Sequence, residues 1–370
     1  MKITYIADVR LPTEKAHGVQ IMKSCEAFVL SGATVELIIP DRENPIKKDP
    51  FDYYGVERIF SIRKIKSPSL MRFEKYLGAL AFRLQVAGFL SRLALLRVPK
   101  ETIVYTRSTE VAWLFSMRGY KTVFEAHVWP ETKISLFVRL LSKVYLIVCN
   151  SGGTEEEFKK RGMNTLAVPN GVDLSMFDIK ADPILLREKL GLPQDKKVIL
   201  YTGHLYAWKG VDVVFKAASL MKDDPHVVFV LVGGTQKDIE KYKNLVQNNA
   251  LDNVMLLGHK EQKALPEFLR ASDALLIPNI PISIESEKYT SPIKMFEYMA
   301  SGRPIIASDM PSMREILNEK NATLITPGSA EALKAAIHDL RDTGAEARRD
   351  VENFTWEKRA LKILSKISTQ

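Results

Sequence analysis

The run YTSPIKMFEYMASGRP, Tyr289–Pro304, lies between two short apolar stretches, Ala274–Ile277 and Pro304–Ala307. Ser291 suits an N-cap and Pro292 the first helical position, so a helix opens there and ends at Gly302. A strand, a helix and a second strand in quick succession make a parallel crossover rather than a hairpin. Lys294 and Glu297 are the helix's only charges, three residues apart and so on one side. They are either an ordinary surface pair, worth a few tenths of a kcal/mol, or two groups turned toward a ligand.

The same alternation runs outward in both directions. Further β-rich runs occur at 2–7, 34–39, 102–106, 122–125, 146–149 and 165–168, then at 198–202, 227–232, 254–257 and 323–325. Helical patterns fall between them, such as Val19–Leu30 and Thr154–Lys160, the latter with Thr154 and Glu157 in capping-box register. Strands apolar on both faces belong to parallel sheets covered on both sides. The pattern predicts an α/β chain of two doubly wound, Rossmann-like domains, 1–172 and 173–353. Pro169, Asp173, Asp182, Pro183 and Pro193 interrupt periodicity between Asn170 and Lys196. The helical pattern of 354–370 follows the last strand. In such sheets ligands bind where strands feed helix N-termini, so the informative residues come just after strands.

At 370 residues, 46% hydrophobic and 26% charged, the composition is that of a globular two-domain protein. Cys25 and Cys149 have neither metal-site nor disulfide spacing, which suits a reducing cytoplasm. No apolar run is long enough to span a bilayer. The net charge of +9 is concentrated between Ser61 and Lys100, which hold nine basic residues and one acid, Glu74.

After the strand 198–202 comes GHLYAWKG, Gly203–Gly210. Gly203 permits a sharp turn, and Lys209 sits at the mouth of the next helix, a place for phosphate. A lysine P-loop is absent, and no GxGxxG follows a strand. GHLYAWKG, then VLVGG, LLGHK and YTSPIKMFEYMASGRPIIASD, together resemble the C-terminal half of a retaining, nucleotide-sugar-dependent glycosyltransferase of the group 1 (family 4) class. Gly18 ahead of a helix, a strand ending at His127, Val168-Pro169-Asn170-Gly171-Val172-Asp173 and Phe354-Thr355-Trp356 extend the resemblance over nearly the whole chain.

The resemblance implies the GT-B fold, with two domains facing across a cleft and helix 354–370 crossing back to the first, acceptor-binding domain. It implies that Lys209 and the amides of Ile293 and Lys294, behind Ser291, hold the donor diphosphate, and that Glu297 binds the ribose. Gly258, His259 and Lys260 would hold the base, Gly18 would approach the diphosphate or sugar, and His127 would sit beside the transferred sugar. Two positions depart from the family: Tyr289 replaces the first acid of Glu-x7-Glu, and His204 replaces an arginine after Gly203.

Sugar transfer from a UDP- or GDP-sugar needs charge stabilisation on the leaving phosphate, which Lys209 and helix amides supply. No Asp-x-Asp motif occurs, so neither metal nor cofactor is expected. A GT-B UDP-sugar epimerase and a basic nucleic-acid binder are the competing readings; the latter lacks an aromatic platform pattern. Phe73, Leu77, Leu80 and Leu84 recur at helical spacing beside Arg63, Lys64, Lys66, Arg72, Lys75 and Arg83. This suits an anionic membrane surface on the cytoplasmic side and a lipid-linked or envelope-glycan acceptor.

Overall fold

The computed structural model describes residues 1–70 and 73–369. The chain forms two compact units, Met1–Pro169 with Trp356–Gln370, and Asn170–Thr355.

The first unit carries seven strands: β1 (Lys2–Ile6), β2 (Thr34–Asp41), β3 (Ser61–Lys66), β4 (Ile103–Thr106), β5 (Thr122–Ala126), β6 (Leu146–Cys149) and β7 (Thr165–Ala167). They pair in parallel in the order β3-β2-β1-β4-β5-β6-β7, so the topology reverses between β1 and β4. Side chains alternate across the sheet into two core layers. Tyr5 joins Cys25, Phe28 and Ile363 on one face, and Ile6 joins Phe89, Val104 and Phe115 on the other. The final helix, Trp356–Ser368, packs in the first layer beside Ala16–Leu30, as expected of a helix returning to this domain.

The second unit has β8 (Lys197–Thr202), β9 (Val227–Val232), β10 (Val254–Gly258), β11 (Ala274–Ile277), β12 (Ile305–Ser308) and β13 (Thr323–Ile325). Their parallel order is β10-β9-β8-β11-β12-β13, with reversal between β8 and β11. Leu200, Met295 and Phe296 fill one layer, and Tyr201, Phe215 and Tyr242 the other. Two doubly wound parallel sheets are therefore present, as the strand–helix alternation predicts.

Three local expectations change. β3, SIRKIK, is an edge strand that the sequence reading left out, because cations break its apolar alternation. Lysines on an edge strand also deter sheet-to-sheet association. The helix Gly152–Lys159 is capped by Ser151, whose hydroxyl accepts the Thr154 amide, so Thr154 is not its cap. Helix Ile293–Ser301 has Pro292, not Ser291, at its N-cap position. Among the described residues no helix is long and apolar enough to cross a membrane.

Candidate functional site

In the second unit, the carboxyl ends of β8, β9 and β10 are joined by backbone. The Gly203 amide donates to the Val232 carbonyl at 2.9 Å and the Gly233 amide to the Gly258 carbonyl at 2.7 Å. Gly203 has φ 123° and Gly233 φ 126°, and a Cβ on Gly233 would run into the Gly203 carbonyl. His204 stacks on Tyr206 with centroids 4.9 Å apart, and its carbonyl accepts the Tyr201 hydroxyl at 2.6 Å. A short turn, Ala207–Lys209, then meets Gly210, whose missing Cβ makes room for the Pro278 carbonyl. The Ile280 amide donates to the Trp208 carbonyl at 3.0 Å. The Gly203–Gly210 loop is thus clamped to the end of β11, at the point where strand order reverses.

Lys209 is half-buried, with its Nζ 3.8 Å from the centroid of the Trp208 ring. Burial lowers its pKa to about 8, and Glu285 restores only part of the loss. Lys294, 9% exposed, places Nζ 3.9 Å from the Tyr201 ring centroid and donates to the Thr202 carbonyl at 3.5 Å. Burial, then the charge of Lys209, pulls Lys294 well below the ordinary lysine range. Glu297, 6% exposed, accepts a hydrogen bond from the Gln262 amide. Burial pushes it up to about 7 despite Gln262 and Lys294. These exposures rule out a solvated i,i+3 surface pair. Among the described residues, neither lysine lies within ion-pair distance of a carboxylate.

Ser291 is held by Asn170. The Asn170 side-chain amide donates to the Ser291 carbonyl at 2.5 Å, which fixes the approach to a helix start that no side chain caps among the described residues. Gly258, at φ 67°, ends β10, and His259 and Lys260 follow it, both exposed. Tyr289 is buried and closes a short helix, Ile284–Lys288, that the sequence reading did not anticipate. Gln262 and Asn279 were also missed. Asn279 is fully buried after β11, and both its amide atoms lack a hydrogen-bond partner among the described residues. Gln262 sits in a loop with no distinguishing motif, whereas Asn279 could have been found as the polar residue directly after a strand and its proline.

The first unit holds a second cluster. His127, just past β5, donates Nε2–H to Glu125 Oε1 at 2.6 Å. Arg359 Nη2 donates to the same oxygen at 2.9 Å, and the Tyr105 hydroxyl donates to Oε2 at 2.6 Å. Burial alone would raise Glu125, but Arg359, His127 and Arg107 outweigh it and hold the carboxyl well below its usual range. Burial, with Arg107, lowers His127 to about 4 against the pull of Glu125. The imidazole is therefore neutral, its Nε2 proton directed to Glu125 and its Nδ1 left as the acceptor. His17 is likewise lowered to about 4 by burial and Arg107. Gly18 is buried, and a Cβ there would collide with the Tyr54 hydroxyl and the Thr13 methyl. Glu125 and Arg359 were not singled out from sequence, although Glu-x-His at a strand end was visible.

Of the basic residues, Arg63, Lys64 and Lys66 lie exposed on β3, while Lys75 and Arg83 lie exposed on the following crossover. Arg72 lies outside the described residues. Among the described residues no three His, Cys, Asp or Glu side chains are placed to hold a metal ion.

Residues 184–355 match the family model for glycosyl transferases group 1. The chain is 24% identical over 239 residues to TuaC of Bacillus subtilis, which carries the name "putative teichuronic acid biosynthesis glycosyltransferase", covering 63% of this chain and 56% of TuaC. It is 27% identical over 209 residues to the D-inositol 3-phosphate glycosyltransferase of Geodermatophilus obscurus, covering 52% of this chain and 45% of that protein. The matches thus span about half the length of these curated relatives. Anabaena HepE, solved in complex with UDP and glucose, superposes with a TM-score of 0.76 at 18% identity, covering 100% of both chains. The fold is GT-B.

Proposed function

We propose that this chain, whose residues 184–355 match the group 1 glycosyl transferases, moves a sugar from a nucleotide-diphosphate sugar to an acceptor, with retention of configuration and without a metal. The observation that carries this reading is the neighbouring pair Lys209 and Lys294. Two lysines desolvated together, with no carboxylate within ion-pair distance among the described residues, form a site that gains most from a bound dianion. The Ile293 and Lys294 amides, uncapped by any side chain among the described residues, add to that field.

In this reading the diphosphate takes up the charge of Lys209 and Lys294, and departure of the leaving phosphate is stabilised in place. Glu297 accepts the ribose hydroxyls, and the chain at Gly258, His259 and Lys260 holds the base. His127, neutral with Nδ1 as acceptor, hydrogen-bonds the sugar. The leaving phosphate oxygen accepts the acceptor's proton in front-face attack, since no side chain is assigned as nucleophile. The binding of UDP and glucose by HepE favours a UDP-sugar as donor. The teichuronic acid biosynthesis in the name of TuaC favours an envelope-glycan acceptor, which in this reading is lipid-linked and met on the cytoplasmic side of a membrane.

A thermal-shift screen with UDP-, GDP- and ADP-glucose in EDTA tests the donor site. A ligand at 100 times its dissociation constant adds about 2.7 kcal/mol. No shift with any nucleotide sugar would overturn the reading. Activity lost in EDTA and restored by Mg²⁺ would overturn the metal-free part, and an epimerised donor formed without acceptor would make the protein an isomerase.

A further inference from the structure

Arg107 directly follows β4, beside the point where the strand order of the first unit reverses between β1 and β4. In a doubly wound sheet the crevice at that point is where a ligand meets the strand ends. The chain is fixed there, since the Thr106 hydroxyl donates to the Ile6 carbonyl at 2.7 Å and accepts the Ser108 amide at 3.1 Å. Arg107 Nη1 donates to Gln20 Oε1 at 2.6 Å. Among the described residues this is the one hydrogen bond its side chain makes, and no carboxylate lies within ion-pair distance of it. The half-buried guanidinium thus has one nitrogen anchored and N–H groups to spare.

Its neighbours do not use them. Glu125 feels the charge of Arg107, but both Glu125 oxygens are taken by His127, Arg359 and Tyr105. Arg359 already neutralises that carboxylate at 2.9 Å, so Arg107 is not needed for it. His17 and His127 lie in the field of Arg107, and with burial it keeps both imidazoles neutral. His17 stands in the first turn of the helix Ala16–Leu30, which has no acid in that turn and no side-chain cap among the described residues. The amides of that helix start add to the positive field. An arginine fork with spare donors, beside a neutral histidine and an uncapped helix start, suits a planar anion.

We propose that Arg107 sets specificity for a transferred sugar that carries a carboxylate, a uronic acid, gripping that carboxylate while His127 Nδ1 accepts a ring hydroxyl. This rests on the glycosyl-transfer reading, in which His127 meets the transferred sugar, and narrows the donor to an anionic sugar. A neutral hexose would leave the Arg107 donors unused. The donor's diphosphate is the other anion at hand, but in the same reading Lys209 and Lys294 take up its charge.

Dissociation constants of the full chain for UDP-glucuronate and UDP-glucose are measured by calorimetric titration. UDP-glucuronate is expected to bind about tenfold or more tightly, the scale of a charge-assisted hydrogen-bonded pair. In Arg107→Gln the ratio of the two constants should fall to about one. Arg107→Lys, which keeps the charge without the fork, should restore part of it. Gln20→Leu leaves the guanidinium in place but unanchored, and should lower the ratio even if Arg107→Gln does not fold. Equal affinities in the wild type, or a preference that survives in Arg107→Gln, overturn the proposal. Equal loss of both ligands in Arg107→Gln with the ratio kept would assign Arg107 to the diphosphate and overturn it too. Tight binding of UDP-glucose with no gain for UDP-glucuronate sinks this inference alone, whereas binding of neither sinks the glycosyl-transfer reading with it.

Discussion

Arg359 and Glu125 are 234 residues apart in sequence, yet their side chains meet at 2.9 Å with exposures of 3% and 1%. The last helix thereby supplies the cation that keeps Glu125 ionised, and Glu125 in turn fixes the Nε2 proton of His127.

Arg359→Met should destabilise the protein by about 3–5 kcal/mol, because it leaves a buried carboxylate unpaired. In the wild type Glu125 is held below its ordinary value, so its contribution is complete above the unfolded carboxylate pKa and is lost as pH falls further. In the variant Glu125 takes up a proton far more readily. Urea denaturation should therefore show a smaller gap between the two proteins at pH 5 than at pH 7.5. An equal gap at both values would mean that Arg359 acts only through packing.

Lys209 is half-buried without an ion pair among the described residues, so removing its charge should not weaken the unliganded fold. Lys209→Met is expected to melt no lower than the wild type, while turnover falls by about 100-fold or more. A marked loss of thermal stability with activity intact would reassign Lys209 to structure.

Donor affinity should be bell-shaped in pH. Affinity for UDP-glucose should rise through about pH 7 as Glu297 ionises to accept hydroxyls, then decline above about 8 as Lys209 loses its proton. Unliganded stability behaves differently. The folded pKa of Glu297 is above its unfolded value, so stability should fall as pH rises from about 4.5 to 7. Glu297→Gln should flatten that slope and remove the acid limb from calorimetric titrations while keeping the alkaline one. An acid limb that survives in the variant would point to another group.

Gly18→Ala should cost about 1–3 kcal/mol, since the added methyl meets Tyr54 and Thr13 in a packed corner. If the variant melts like the wild type but loses donor affinity, glycine is needed at 18 for ligand approach rather than for packing.

Much of the donor site could be read from sequence because its residues are neighbours along the chain. Gly203, His204 and Lys209 share one loop, and Ser291, Ile293, Lys294 and Glu297 share one helix start. Gln262 and Asn279 were not legible, since nothing local distinguishes a loop glutamine that reaches a buried carboxylate from one that does not. The Ser291 cap failed for a related reason: the serine is engaged by Asn170, from the start of the same unit.

Strand and helix periods are local properties, so the sequence by itself determined two doubly wound parallel sheets and which loops lie at their carboxyl edges. Only the tertiary structure decided which polar groups lost their water. Spacing that puts Lys294 and Glu297 on one side of a helix is the same for a wet pair and a dry one. Packing against the β8 end desolvates both and shifts their pKa values toward neutrality. The crossover after β3 shows the converse. Its apolar residues have the spacing of a core stripe, but Phe89 and Leu93 reach the sheet first, and Leu80, Phe82 and Leu84 are left to the solvent. A helix has one face for the sheet, and the sheet chooses it.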